Sequence, residues 1–232
     1  MSNTRRVKIE KKILSANEEY AAFNRRFLAE RKLPCLNVIS SPGSGKTTIL
    51  AATIEKLKGK VRIGVIEGDI QTDLDAKRIR KTGAPAIQIN TDGACHLSAD
   101  QVSAAFHNMP VNDLDLIFVE NVGNLVCPST FDLGETAKIA VLSVPEGDDK
   151  PAKYPALFAR AAAVLINKID LLGAADFDVE KAKADVLKLN KKARIFPVSA
   201  KTGEGMSHWY DWLEELIRNS RRQQTTTGPI TL

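Results

Sequence analysis

The feature that most constrains the fold of this chain is the segment 37–48. A short apolar run ends at Ile39 in a loop of serine, proline and glycine, and Gly45 then opens a helical pattern. This order of strand, loop and helix, with Lys46 and Thr47 at the helix start, is that of a phosphate-binding P-loop. Backbone N–H groups of such a loop turn inward on an anion, and the helix N-terminus adds partial positive charge. The segment therefore predicts a nucleoside triphosphate site.

The residues of this loop have distinct expected roles. Lys46 is expected to reach the terminal phosphates, and Thr47 to place its hydroxyl on Mg²⁺. The other phosphate contacts are expected from Gly43, Ser44, Gly45 and Thr48. Ser40 stands where the usual pattern has glycine. An ordinary glycine-rich turn is the alternative, and the strand before and helix after argue against it.

Length and composition exclude several classes of protein. The 232 residues contain no apolar run near the roughly 20 residues that a membrane span needs, and the N-terminus lacks the apolar part of a secretory signal. The three cysteines cannot all pair, so a reducing cytoplasm is the expected location. The net charge of +5 comes from basic residues interspersed with acids, so neither nucleic acid nor membrane is an expected partner.

Apolar runs that alternate with helical patterns indicate the fold class. Helices are predicted at 10–32, 46–58, 73–82, 98–107, 178–190 and 208–219, and strands at 36–39, 61–66, 86–89, 114–119, 138–143, 162–166 and 194–198. Such alternation predicts an α/β protein, a three-layer α/β/α P-loop NTPase with a mostly parallel central sheet.

The tetrapeptide at 167–170 predicts which base is bound. It follows a buried strand, at the edge where open α/β sheets bind ligands. Asn167, Lys168 and Asp170 are expected to bind the nucleotide. Lys168 is expected to lay its stem over the base, while Asp170 can accept from two guanine donors that adenine lacks. A second base-facing loop is expected after the next strand, formed by Ser199, Ala200 and Lys201, with the Ala200 N–H directed at guanine O6. In this register the tetrapeptide predicts a GTP site.

Acidic residues at the ends of two other strands are candidates for catalysis. Glu120 is expected to reach Mg²⁺, and Gly123 to sense the γ-phosphate through its N–H. Asp69 is expected to order Mg²⁺ or the attacking water, with Asp75 as the alternative, and Asp73 to cap a helix. Because no water-orienting glutamine is identifiable, slow intrinsic hydrolysis is expected.

Two thiols and an imidazole are candidate metal ligands. For Cys95, His96 or Cys127 taken singly, an ordinary structural role is more common. Together, at the edge of a nucleotide-binding sheet, they indicate a site for a soft or borderline metal. Cys35, inside a predicted strand, is expected in the core.

Several segments together resemble one family, the HypB GTPases that insert nickel during hydrogenase maturation, of the SIMIBI class of P-loop proteins. They are 40–48, 67–72, 75–79, 88–97, 120–128, 146–151 and 153–155. The resemblance implies hydrolysis of GTP to GDP with Mg²⁺, catalysed by Lys46, Asp69, Asp75 and Glu120. It also implies nickel or zinc on Cys95, His96 and Cys127, and homodimers linked to nucleotide and metal. The implied partners are a small zinc-containing nickel chaperone and the large-subunit precursor of a nickel–iron hydrogenase.

The polar segment 148–153 connects two strands that are expected to be neighbours, which places it at the carboxyl edge of the sheet. Lys150 and Lys153 are therefore expected to face the nucleotide of a second subunit. A solvated charged loop is the alternative.

Two other functions stay open at this point. One is a GTPase chaperone for another nickel or cobalamin enzyme, such as urease, and the segment 146–151 favours hydrogenase over it. The other is a non-catalytic nickel- or zinc-buffering protein, against which the lack of a histidine tract argues. The leading interpretation expects a helical extension packed on the domain at 1–34, a P-loop GTPase domain at 35–220 and a flexible tail at 221–232.

Overall fold

The computed structural model describes residues 2–69 and 74–222, with side chains from residue 15 onward. The helices are α1 Ser2–Glu30, α2 Lys46–Leu57, α3 Leu74–Lys81, α4 Ala99–His107, α5 Cys127–Thr130, α6 Lys150–Lys153, α7 Pro155–Phe158, α8 Val179–Leu189 and α9 Met206–Arg222. The strands are β1 Cys35–Ser40, β2 Ile63–Asp69, β3 Ala86–Asn90, β4 Leu116–Glu120, β5 Ala137–Ser143, β6 Ala161–Asn167 and β7 Arg194–Pro197. Short 3₁₀ turns occupy 111–113, 144–146 and 169–174.

The strands form one sheet in the order β3-β2-β4-β1-β5-β6-β7. All six pairings between neighbouring strands are parallel. Every residue of β1 and β4 is buried, as expected for central strands covered on both faces. The predicted three-layer fold is confirmed, and so is the predicted adjacency of β5 and β6.

Helices cover both faces of the sheet. On one face, α2, α3 and α9 enclose the largest apolar cluster, which includes the fully buried Trp209. The indole N–H of Trp209 donates to Thr53 Oγ1 at 3.0 Å, so this large side chain is buried without an unpaired polar group. On the other face α1 packs against α4, where the Phe27 and Phe106 rings stack 5.4 Å apart.

The ends of the chain differ from the sequence prediction. Helix α1 begins at Ser2, because a polar sequence without a breaker continues the helix before the first apolar contact. Ala21 and Leu28 of this helix are buried, whereas Phe23 is 42% exposed. Helix α9 continues to Arg222, two residues into the expected tail, and Arg221 pairs with Asp115 at 2.6 Å. Asp73, 223–232 and the side chains of the first fourteen residues lie outside the described part of the chain.

Among the described residues, no helix is both long and apolar enough to cross a membrane. Because all strands are parallel, their carboxyl ends meet at one edge of the sheet. The loops that follow the seven strands therefore converge there, and these loops carry the candidate functional residues.

Candidate functional site

A cleft of about 530 Å³ opens at the carboxyl edge of β1, β2 and β4. It brings together six residues that the sequence predicts for phosphate, magnesium or water, namely Lys46, Thr47, Asp69, Asp75, Glu120 and Gly123. Gly43, Gly45, Thr48 and Lys168 also line it. Residues from four separate stretches of sequence thus face one space of the size a nucleotide needs.

The structure shows why the first position of the P-loop is a serine. Gly45 has φ of +96°, a left-handed conformation that favours glycine, and α2 begins at the next residue. The Lys46 side chain is buried, and its Nζ donates to Ser40 Oγ at 3.0 Å. Ser40 therefore supplies an acceptor that holds the lysine in place. Ser44 Oγ donates to Glu146 Oε1 at 2.6 Å, which ties the loop to the turn after β5.

Two of the groups that line the cleft are buried carboxyl groups. Thr47 Oγ1 donates to Glu120 Oε1 at 2.9 Å, and Glu67 lies opposite Glu120 in the pairing of β2 with β4. Burial, with the neighbouring charge of Glu120, raises the pKa of Glu67 to about 10. Burial also raises the pKa of Glu120, although the Lys46 charge opposes this.

One oxygen of each carboxyl group, Glu67 Oε1 and Glu120 Oε2, has no hydrogen-bond partner among the described residues. Hard oxygen donors next to a threonine hydroxyl are the ligands that Mg²⁺ prefers, so these residues fit a magnesium ion. The sequence reasoning assigned Glu120 and missed Glu67. The sequence does contain a sign of this role, because Glu67 stands two residues before Asp69 on the same strand, and residues two apart share a face of the sheet.

Arg78 is a second residue that the sequence reasoning missed. Its guanidinium donates to Thr48 Oγ1 at 3.1 Å and to Asp75 Oδ1 at 3.4 Å. The bond to Thr48 links α3 to the start of α2, and the bond to Asp75 lies within α3. The spacing of three residues between Asp75 and Arg78 on a helix is the only sign of this contact in the sequence.

At the base end, Asn167 joins three loops. Its Nδ2 donates to the Ser44 carbonyl at 2.8 Å, and its Oδ1 accepts from the Ala200 N–H at 3.1 Å. The Ala200 N–H, expected to face guanine O6, is thus directed at Asn167. A contact with guanine O6 would share or replace that bond.

Lys168 and Asp170 lie beside this junction. Lys168 adopts φ of +64° and its Nζ donates to the Gly43 carbonyl at 2.6 Å, which places its stem along the P-loop. Asp170 Oδ1 accepts from Ser199 Oγ at 2.7 Å. Lys201 is exposed. The predicted base-binding residues therefore come together in space.

The segment 148–153 lies at the carboxyl edge, as expected. Asp148 pairs with Lys181 at 2.6 Å, and this hydrogen bond holds the pKa of Asp148 below its ordinary value. Lys153 pairs with Asp149 at 2.5 Å, and Lys150 Nζ lies 5.6 Å from the centre of the Tyr154 ring. Lys150 and Lys153 lie outside the cleft of their own chain.

The three candidate metal ligands form a second site at the same edge. The donor atoms of Cys95, His96 and Cys127 all lie within 4.8 Å of one another. His96 Nδ1 is 3.6 Å from Cys95 Sγ, and the His96 ring packs against Phe131 with ring centres 3.8 Å apart. Cys35 is buried in the core, as expected.

Local chemistry sets the protonation of these ligands. Burial lowers the pKa of His96, so the imidazole is neutral and able to ligate at neutral pH. A hydrogen bond with Cys127 raises the pKa of the Cys95 thiol. Two thiols and a neutral imidazole suit a soft or borderline divalent metal, which would displace the thiol protons on binding.

Comparisons with known proteins identify the family of the chain. A model of the CobW/HypB/UreG nucleotide-binding domain matches residues 34–197. Hydrogenase maturation factor HypB of Escherichia coli (strain K12) is 52% identical over 214 residues, which are 92% of this chain and 74% of that protein. Hydrogenase/urease maturation factor HypB of Helicobacter pylori is 43% identical over 218 residues, which are 92% of this chain and 89% of that protein.

Structural comparison gives the same result. The crystal structure of HypB from Helicobacter pylori in complex with nickel has a TM-score of 0.84 and 40% identity, covering 92% of this chain and 100% of that one. The family model thus covers most of the chain, and the relatives match nearly all of it. This chain therefore belongs to the HypB hydrogenase maturation factors, within the CobW/HypB/UreG family of P-loop GTPases.

Proposed function

We propose that this chain is a GTP-hydrolysing metallochaperone that delivers nickel to the large-subunit precursor of a nickel–iron hydrogenase. The observation that supports this most is the position of two sites on one edge of the sheet. The phosphate cleft contains Glu120 and Gly123, and Cys127 of the thiol–imidazole site follows four residues after that glycine. A segment this short lets a change at the nucleotide alter the metal site.

In the proposed reaction, P-loop amides and Lys46 bind the phosphates of GTP, and Asp170 recognises guanine. Asp69 positions the attacking water, with Asp75 as the alternative. Thr47 and Glu120 would hold Mg²⁺, whose charge offsets that of the phosphates. Slow intrinsic turnover is part of the proposal, because the sequence has no identifiable water-orienting glutamine.

Nickel is the proposed cargo, held by Cys95, His96 and Cys127. Three protein ligands leave a tetrahedral or square-planar ion incomplete, so a water or a second subunit would complete the site. Zinc has similar ligand preferences and would compete. The nickel-bound crystal structure of the Helicobacter pylori relative supports nickel.

The proposed assembly is a homodimer linked to GTP and metal, in which Lys150 and Lys153 face the partner's nucleotide. The proposed location is the cytoplasm, where a small zinc-containing chaperone would supply nickel. We assign both sites to a GTPase domain at 35–220, with 1–34 as a helical extension and 221–232 as a tail.

A deletion strain tests this function. Expression of the chain should restore hydrogenase activity at low nickel, whereas Lys46→Ala and Cys127→Ala should not. Excess nickel should rescue Cys127→Ala, because it bypasses capture of the metal. Full restoration at low nickel by both variants would contradict the proposal.

A second function, maturation of urease, is favoured by the name of the Helicobacter pylori relative, which includes both enzymes. Urease activity measured in the same strains separates the two. If the chain restores urease activity and leaves hydrogenase activity unchanged, the client is urease.

A further inference from the structure

Leu97 connects the metal site to the strand that carries Asp69. It directly follows His96 and is fully buried. A Cβ atom at Gly68 would lie 2.7 Å from Leu97 Cγ, so the leucine side chain rests directly on the backbone of β2. Any residue larger than glycine at position 68 would therefore collide with the Leu97 side chain. The residue after two of the metal ligands is therefore packed against the end of a nucleotide-facing strand.

The backbone of Leu97 is bound by Asn121, the residue that follows Glu120. Asn121 is 1% exposed. Its Oδ1 accepts from the Leu97 N–H at 3.1 Å and from the Val122 N–H at 3.0 Å, while its Nδ2 donates to Asn37 Oδ1 at 3.1 Å. One buried amide thus joins β1, the loop after β4 and the loop that carries Cys95 and His96.

The loop after β4 also packs against the P-loop. A Cβ atom at Gly123 would lie 2.8 Å from Pro42 Cγ and 2.9 Å from Pro42 Cα. If Gly123 moves relative to the P-loop, the backbone of the two preceding residues, Asn121 and Val122, therefore has to adjust. Because Val122 and Leu97 share one acceptor, a rotation of the peptide between Asn121 and Val122 alters the bond to Leu97.

We propose that Asn121 is the positioning residue that couples the nucleotide site to the metal site, through its hydrogen bond to Leu97. This inference rests on the proposed function, since it takes GTP in the cleft and nickel on the three ligands. It adds the route by which the state of the nucleotide reaches Cys95 and His96.

A second route exists at the surface and serves as the comparison. Asn124 Nδ2 donates to the Cys95 carbonyl at 3.4 Å, and this bond is exposed to solvent. An exposed bond of this length exchanges readily with water, whereas the buried acceptor of Asn121 cannot be lost without leaving two N–H groups unpaired. Coupling through Asn121 is therefore the stronger of the two.

The test is calorimetric titration of nickel into the GDP complex and into the complex with a nonhydrolysable GTP analogue. Four proteins are compared, the parent, Asn121→Ala, Asn121→Asp and Asn124→Ala. Asn121→Asp keeps the acceptor of both N–H groups, while its second oxygen replaces the donor to Asn37 and adds a negative charge. If thermal melting shows that Asn121→Ala is unfolded, Asn121→Ser replaces it. A water bound to the serine hydroxyl can then pair with the freed N–H groups of Leu97 and Val122.

The measured quantity is the ratio of nickel affinities in the two nucleotide states, which is typically about 5- to 150-fold for coupled sites. The parent, Asn121→Asp and Asn124→Ala should show a similar ratio, and that of Asn121→Ala should fall towards one. A merely structural defect would weaken nickel binding in both states and leave the ratio unchanged. By reciprocity, nickel should also cease to alter the affinity of Asn121→Ala for the GTP analogue.

Two results would overturn the proposal in different ways. A parent-like ratio in Asn121→Ala would show that another route carries the coupling, while nucleotide-gated delivery would stand. A ratio of one in the parent would contradict nucleotide gating itself, and the role of Asn121 with it.

Discussion

At the scale of single residues, the buried acid Glu67 makes a testable contribution to stability. Its pKa is raised from 4.5 to about 10, so the folded protein binds this proton more tightly than the unfolded chain does. Stability from this group is complete below 4.5 and is lost as the pH rises towards 10. Glu67→Gln, which mimics the protonated acid, should therefore melt at a higher temperature than the parent.

This difference in melting temperature should widen between pH 5 and pH 8, by up to about 1.4 kcal/mol of unfolding free energy per pH unit. The measurement is thermal unfolding without nucleotide and with a chelator. A difference that stays constant or shrinks as the pH rises would show that Glu67 is ionised in the folded protein.

Asp170 should determine the choice of base. Asp170→Asn replaces one acceptor with a donor, which matches the second carbonyl of xanthine in place of the guanine amine. The ratio of kcat/KM for XTP to that for GTP should rise by about 100-fold or more. Lys192→Ala, an exposed residue before β7 at the opposite edge of the sheet, is the control and should keep the parent preference. Equal hydrolysis of ATP and GTP by the parent would contradict the role of Asp170.

At the scale of elements, the carboxyl end of β2 and the start of α3 each offer an acid for positioning water. Asp69→Ala should lower kcat with little change in KM, because a group that orients the attacking water contributes mainly in the transition state. Asp75→Ala, whose carboxylate also binds Arg78, is the comparison. If Asp69→Ala weakens nucleotide affinity and leaves kcat unchanged, the water-positioning role passes to Asp75.

The elements also show what a single sequence can predict. The seven strands were located to within a few residues, because buried parallel strands are continuous apolar runs. Helices α5, α6 and α7 were not predicted, since each has four residues and no helical period can be read from so few. The start of α1 was misplaced because no cap or breaker marks it.

The residues of the site also fall into those that the sequence predicts and those that it does not. The P-loop and the tetrapeptide at 167–170 are local patterns, so their residues could be read from the sequence. Glu67, Arg78 and Asn121 act through neighbours distant in sequence, namely Glu120, Thr48 and Leu97, which only the tertiary structure brings close. Such pairings leave no local pattern in one sequence.

At the scale of the whole molecule, we expect the mass in solution to depend on the nucleotide. Lys150 and Lys153 lie at the carboxyl edge, outside the cleft of their own chain, and are available to a second subunit. Light scattering should give a monomer with GDP and a dimer with a nonhydrolysable GTP analogue. Lys153→Ala should weaken the dimer, while Lys183→Ala on α8 should not. An unchanged mass in both states would contradict this arrangement.

The central claim is that GTP hydrolysis drives release of nickel to a hydrogenase precursor. The most direct measurement is transfer of radioactive nickel from the loaded chain to purified large-subunit precursor, with GTP, with GDP and with a nonhydrolysable analogue. Transfer should be fastest with GTP, and Lys46→Ala should reduce it to the level seen with the analogue. Equal transfer with all three nucleotides, or undiminished transfer by Lys46→Ala, would contradict the account.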